Sequence, residues 1–261
     1  MPKVISKDGV EIAFDKTGQG PPVILVDGAM CYRSFGPMPK LAPLLAPYFT
    51  VYHYDRRGRG DSGASKSYAV EREIEDIEAL IREAGGSAFV LGLSSGAALA
   101  LKAAAHGLNI KKLALYEPPY MVAPNGHRPP ADHEAQLKTM IAADRRGDAV
   151  KFFMNKMVGA PAIFAFIMQL LPLWSKLKAV AHTLPHDAAI MGDFSLPTRV
   201  VKSVRVPSLV MGGGKSPENL RLAVEAVADA LPGASRQTLA GQTHNVSMKV
   251  LAPVLREFFT I

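Results

Sequence analysis

Cysteine is nearly missing from this chain: Cys31 is the only one in 261 residues. An internal disulfide is therefore excluded, as in proteins of reducing compartments, and a cytoplasmic location is expected. Long hydrophobic runs are missing as well. The greasiest stretch, residues 160–174 (APAIFAFIMQLLPLW), carries Gln169 and two prolines and is shorter than the roughly 20 residues needed to cross a bilayer. It reads as a buried or substrate-facing helical segment, and no membrane partner is expected. The opening, MPKVISKDGVEIAF, has no apolar core of a secretory signal. Internal repeats and low-complexity tracts are absent. Charge of one sign dominates only weakly: 30 basic against 23 acidic residues give +7, with carriers scattered along the chain. The single dense cluster, RRGR at residues 56–59, has no interleaved aromatics to stack on bases. It is expected to be a solvated basic surface, and nucleic acid is not expected as a partner.

What is present points to one large globular unit. A hydrophobic share of 48% over this length suffices for a sizeable core, and 20% charged residues is too ordinary for disorder. Residues 4–14 (VISKDGVEIAF) read as two strands around an Asp8-Gly9 turn. Residues 21–29, 50–55, 88–93 and 110–117 read as further strands, with helices over about 35–45, 69–84 and 96–107 between them. In the second of these helices Ile74, Ile77 and Ile81 form one stripe with acids opposite. From Pro118 to about Arg199 no strand is convincing; the segment is helical and rich in Met, Phe and Pro. Strands resume at residues 205–214 and 235–240, with helices near 217–230 and at the end. This alternation predicts an α/β fold: a mainly parallel sheet covered on both faces, with an inserted helical cap. The expected division is a core of residues 1–118 and 200–261 and a cap of residues 119–199.

Residues 92–96 read Gly-Leu-Ser-Ser-Gly, a G-x-S-x-G placed where a strand must turn directly into a helix. Such a turn strains the central serine and presents its hydroxyl beyond the sheet edge. The N–H of Ser95 opens the helix and is aimed to hold a developing oxyanion. Around this elbow the chain resembles the α/β-hydrolase superfamily over nearly its whole length. The third strand ends in VDGAMC, like an oxyanion loop. The fourth ends in YDRRGRGDSG, similar to the Y-D-x-R-G-x-G-x-S of that superfamily and taken as loop architecture. His244 lies in AGQTHNVS, where these enzymes keep their base. The resemblance implies Ser94 as nucleophile, His244 as base, and backbone N–H groups of Ser95 and of Ala29 or Gly28 as oxyanion donors.

A base needs a carboxylate to orient it and to stabilise the imidazolium. Most hydrolases of this fold supply it after the seventh strand, but here that turn reads VMGGGKSPENL. Glu218 there looks like a first-turn helix acid favoured by the dipole. Glu117, closing the sixth strand in LALYEPPY, is the stronger candidate, because a carboxylate ending an apolar strand needs a partner. Some members of the superfamily, including certain haloalkane dehalogenases and the zearalenone-type lactonases, carry their acid at this position. The latter are also similar in the D-G loop and the S-S-G elbow, and are the nearest group by these short matches.

The other histidines, His53, His106, His127, His133, His182 and His186, occupy no position suited to a base or metal ligand. Pro185 breaks the i, i+4 alignment of His182 and His186, so no metal is expected. Cys31 is read as a small buried hydrophobe. Tyr32, Phe153, Met157 and Trp174 are the candidate substrate-binding residues. The expected activity is cofactor-independent serine hydrolysis of a small hydrophobic ester or lactone through an acyl-enzyme. C–C or amide hydrolysis and perhydrolysis use the same triad, and a non-catalytic small-molecule receptor on this fold is the rival. A homodimer is compatible with the sequence.

Overall fold

The computed structural model describes residues 1–123 and 126–260; Pro124, Asn125 and Ile261 lie outside the described residues. Eight strands appear: β1 (Lys3–Ile5), β2 (Glu11–Thr17), β3 (Pro22–Val26), β4 (Thr50–Tyr54), β5 (Ala88–Leu93), β6 (Ile110–Tyr116), β7 (Ser208–Gly213) and β8 (Ser235–Leu239). They form one sheet in the order β1-β2-β4-β3-β5-β6-β7-β8. The β1/β2 and β2/β4 pairs are antiparallel and all the others parallel. Strands β3, β5 and β7 and the second half of β6 (Leu113–Tyr116) are largely apolar and almost wholly buried, as a sheet covered on both faces requires. This is the α/β-hydrolase fold read from the sequence.

Alternation along each strand sorts its side chains to opposite faces. Ile24, Val26, Val90, Leu113 and Val210 pack with α2 (Val70–Glu83), α3 (Ser95–Ala105) and α10 (Glu218–Ala230). Val23, Leu25, Phe89, Leu91 and Leu209 pack with α1 (Met38–Leu45) and α11 (Met248–Thr260) on the other side. There Phe259 of α11 stacks on Phe89 at 4.9 Å, and Phe49 meets both rings edge-on.

Between β6 and β7 the described residues contain helices and no strand: α4 (His133–Ala142), α5 (Arg146–Phe152) leading into a π turn (Phe153–Met157), α6 (Ala162–Gln169), α7 (Leu173–Val180), α8 (Leu184–Met191) and α9 (Thr198–Ser203). Among the described residues no single helix is long and apolar enough to cross a membrane.

One expectation fails here. Residues 56–59 are not a solvated basic surface: Arg56, Arg57 and Arg59 are each only 1% exposed. Their partners are carboxylates distant in sequence, which local composition does not reveal. Arg56 makes a bidentate pair with Glu73 (2.6 and 2.8 Å), and Arg57 does so with Asp76 (2.8 and 2.7 Å). The polar face of α2 is therefore partly interior as well. Arg57 also reaches Asp8 at 2.9 Å, tying the β1–β2 turn to α2. Removing one member of such a buried pair leaves the other charge uncompensated. Arg57→Met is expected to lower stability by about 3–5 kcal/mol in urea denaturation. Lys3→Met, which breaks only the exposed pair with Glu11, should change it by less than about 1 kcal/mol. Equal, small effects would restore the solvated reading.

Candidate active site

Sheet register assembles the site before any side chain is considered. Val26 pairs with Gly92, and Leu93 with Tyr116, so the residues that follow β3, β5 and β6 emerge side by side at the carboxyl edge. Ser94 joins β5 to α3 with φ 53° and ψ −124°, a conformation costing a non-glycine residue about 1–3 kcal/mol. Gly92 and Gly96 make it attainable. A Cβ on Gly92 would overlap the Gly96 carbonyl and the first turn of α3, and one on Gly96 would overlap the carbonyls of Val26 and Asp27. The N–H of Ser94 donates to the carbonyl of Tyr116 at 3.0 Å. Ser95, the first residue of α3, has no intrahelical acceptor for its N–H.

Glu117 follows β6 and is also held at positive φ (46°) with its side chain fully buried. Nδ1 of His244 bonds its Oε2 at 2.6 Å. Its Oε1 accepts from the Gly213 N–H at 2.7 Å and from the Ser216 hydroxyl at 2.5 Å. Burial pushes the Glu117 pKa up, but the bonds from His244, Ser216 and Gly213 outweigh it and hold the carboxyl below its ordinary value. It is thus an anion that orients one ring nitrogen and leaves the other free. The imidazole of His244 is 44% exposed, and its loop is fixed by Tyr116, whose hydroxyl donates to Thr243 O at 2.6 Å. Glu218 occupies the first turn of α10.

The loop after β3 lies against the nucleophile. A Cβ on Gly28 would stand 3.2 Å from the Cβ of Ser94. Arg59 donates to the carbonyls of Gly28 (2.7 Å) and Cys31 (3.1 Å). Asp27 is buried against His53 at 2.9 Å, and burial pushes its pKa up despite that bond. Burial, reinforced by the nearby Asp27 charge, also pushes the Cys31 thiol up, which keeps it an inert thiol. Tyr32 and Phe35 face each other with ring centres 5.7 Å apart, and the Lys176 ammonium of α7 lies 5.4 Å above Phe35.

The structure does not bring every candidate to this place. Met157 is fully buried and Phe153 nearly so, both packed in the main core cluster. Trp174 lines a different depression with Arg146, Gly147, Lys151 and Lys178, an assignment to the substrate site that its neighbours do not favour. Pro185 sits in the first turn of α8, where proline is tolerated, so it starts that helix rather than breaking it. His182 bonds the Gly58 carbonyl at 2.7 Å and His186 stacks on Tyr68 at 3.8 Å. Among the described residues no group of three or more His, Cys, Asp and Glu could hold a metal ion. Sequence reasoning missed Ser216, although a hydroxyl in the turn after β7 was a readable signal. It also missed Asp187, for which no local signal exists.

Because the folded Glu117 has a lowered pKa, its contribution to stability is complete above the ordinary carboxyl pKa of about 4.3. It is lost as pH falls through the lower folded value. Glu117→Gln is therefore expected to melt below the parent at pH 7, with the gap narrowing as the pH is taken below the ordinary carboxyl range. A gap independent of pH in thermal denaturation would contradict the ionised assignment.

With this geometry in place, comparison with known proteins is informative. A sequence model described as "Alpha/beta hydrolase family" matches residues 23–253. The chain is 52% identical to an alpha/beta hydrolase from Sphaerobacter thermophilus DSM 20745, with TM-score 0.92 over 99% of this chain and 100% of that one. It is 21% identical to a hydrolase from Pseudomonas aeruginosa PA01 (TM-score 0.74, covering 100% and 98%). It is also 21% identical to a thermophilic esterase from Thermogutta terrifontis (TM-score 0.71, covering 99% and 97%). These last two likenesses show the fold alone. A search of curated proteins finds no match. By the extent of the family match and the 52% identity to the Sphaerobacter protein over nearly the whole of both chains, this chain belongs to the alpha/beta hydrolase family.

Proposed function

We propose that the chain is a cofactor-independent serine hydrolase that cleaves a hydrophobic carboxylic ester or lactone. The observation that carries this reading is the buried, ionised Glu117 bonded to Nδ1 of His244 beside a serine at a strained elbow. A carboxylate in that position fixes the tautomer, so that Nε2 of His244 carries the lone pair.

In the proposed reaction Ser94 Oγ attacks the carbonyl carbon while its proton passes to Nε2 of His244. The transfer requires these two atoms to close to hydrogen-bond distance around the substrate. The N–H groups of Ser95 and Ala29 hold the tetrahedral oxyanion, with Gly28 as the neighbouring alternative. Collapse breaks the C–O bond to the leaving alcohol, which takes the proton from His244. Water, deprotonated by the same imidazole, then attacks the acyl-enzyme and releases the acid. The helices of residues 119–199 act as a cap over a core formed by residues 1–118 and 200–261. Tyr32, on the oxyanion loop, is the best placed of the candidate substrate contacts.

A panel of p-nitrophenyl esters and lactones, with labelling by a fluorophosphonate, tests the reading. The parent is expected to turn over at least one short-chain ester and to label, and Ser94→Ala to do neither. Glu117→Gln should lower kcat by about 10²–10⁴-fold, whereas Glu218→Gln should change it by less than about two-fold. A parent that binds such molecules without turnover or labelling would be a receptor.

A further inference from the structure

A buried carboxylate that the reaction above does not use ties the inserted helices to both loops flanking Ser94. Asp187, in the first turn of α8, is fully buried. Its Oδ1 accepts from the Ser95 hydroxyl and from Arg56 Nη1, each at 2.8 Å, and its Oδ2 accepts from Arg59 Nη2 at 2.6 Å. Arg59 donates Nε to Thr183 Oγ1 at 3.1 Å, in the turn just before α8. Its Nη1 goes to the carbonyls of Gly28 and Cys31. The remaining fork of Arg56 is taken by Glu73. Two guanidinium groups thus face two carboxylates, and the cluster is charge-balanced.

Peptide planarity gives this cluster a consequence for the neighbouring amides. The Gly28 C=O and the Ala29 N–H belong to one planar trans unit, and they point in opposite directions. Holding the Gly28 oxygen against Arg59 therefore fixes where the Ala29 N–H is aimed. On the other loop, the Ser95 hydroxyl held by Asp187 anchors the first residue of α3, whose own N–H is the second donor. One carboxylate sets both.

We propose that Asp187 is a positioning residue: through Arg59 and Ser95 it aims the two amides that meet the oxyanion, so the inserted helices govern the rate of the chemical step. Its kinetic meaning rests on the serine-hydrolase reading; its geometric content does not. The arrangement separates this role from substrate binding, because the buried carboxylate of Asp187 bonds Ser95 directly and reaches the Gly28 loop through Arg59.

The test combines two readouts on the full-length chain. In Asp187→Asn, amide hydrogen exchange at Ala29 and Ser95 is expected to quicken about ten-fold, while α10 exchanges as in the parent. With a p-nitrophenyl ester, kcat should fall about 100-fold and KM should stay within about two-fold, as expected when donors are misaimed rather than removed. Ser95→Ala removes only one hydroxyl and guards against a misfolded first variant. It should lower kcat about ten-fold at unchanged KM, with exchange quickened at Ser95 and not at Ala29. Unaltered exchange at both amides in Asp187→Asn, or a loss carried by KM alone, would overturn the proposal. A parent without turnover would instead overturn the hydrolase reading, and the exchange result would still decide whether Asp187 sets the two amides.

Discussion

The site depends on keeping a charge inside the protein. Glu117 is removed from water at the end of β6, and a carboxylate there would take up a proton unless its lone pairs were occupied. Three donors from three segments occupy them: the Gly213 amide at the end of β7, the Ser216 hydroxyl of the next turn, and the His244 imidazole beyond β8. Two donors belong to β7 and the turn after it and the third follows β8, so the anion exists only when β6, β7 and β8 are in register. The dependence also runs the other way, because the exposed imidazole has its orientation set by a group that solvent cannot reach.

Backbone strain is present at the same edge. Ser94 and Glu117 are both non-glycine residues at positive φ, one after β5 and the other after β6. Both are locked by hydrogen bonds to the adjacent strand: Ser94 N to Tyr116 O, and Glu117 N to Met211 O at 2.9 Å. The parallel ladder supplies the rigidity that lets two such residues persist next to each other. Neighbouring glycines then remove the side chains that would push the loops apart.

Much of this was legible in the sequence, for identifiable reasons. The period-two and continuous apolar runs fall in the observed strands, and the elbow is visible because strand, glycine-bounded serine and helix are contiguous. Glu117 was legible because a carboxylate after an apolar strand is anomalous by itself. The arginines were misread because their partners, Asp8, Glu73, Asp76 and Asp187, are separated from them by 17 to 131 residues. A single sequence displays the charge but not its counterion. The burial of Met157 and the neighbours of Trp174 were likewise not legible, since apolar periodicity in a helical insertion does not say which face meets the core and which meets a ligand.

The clamp of Phe259 on Phe89 and Phe49 ties the segment following His244 to the centre of the sheet. A chain emerging from the ribosome therefore holds Ser94 and Glu117 well before it possesses the imidazole of His244 that bonds the carboxylate. Glu117 gains its bond from His244 only once the C-terminal segment has been made, so in the order of synthesis this carboxylate is the last part of the site to be satisfied.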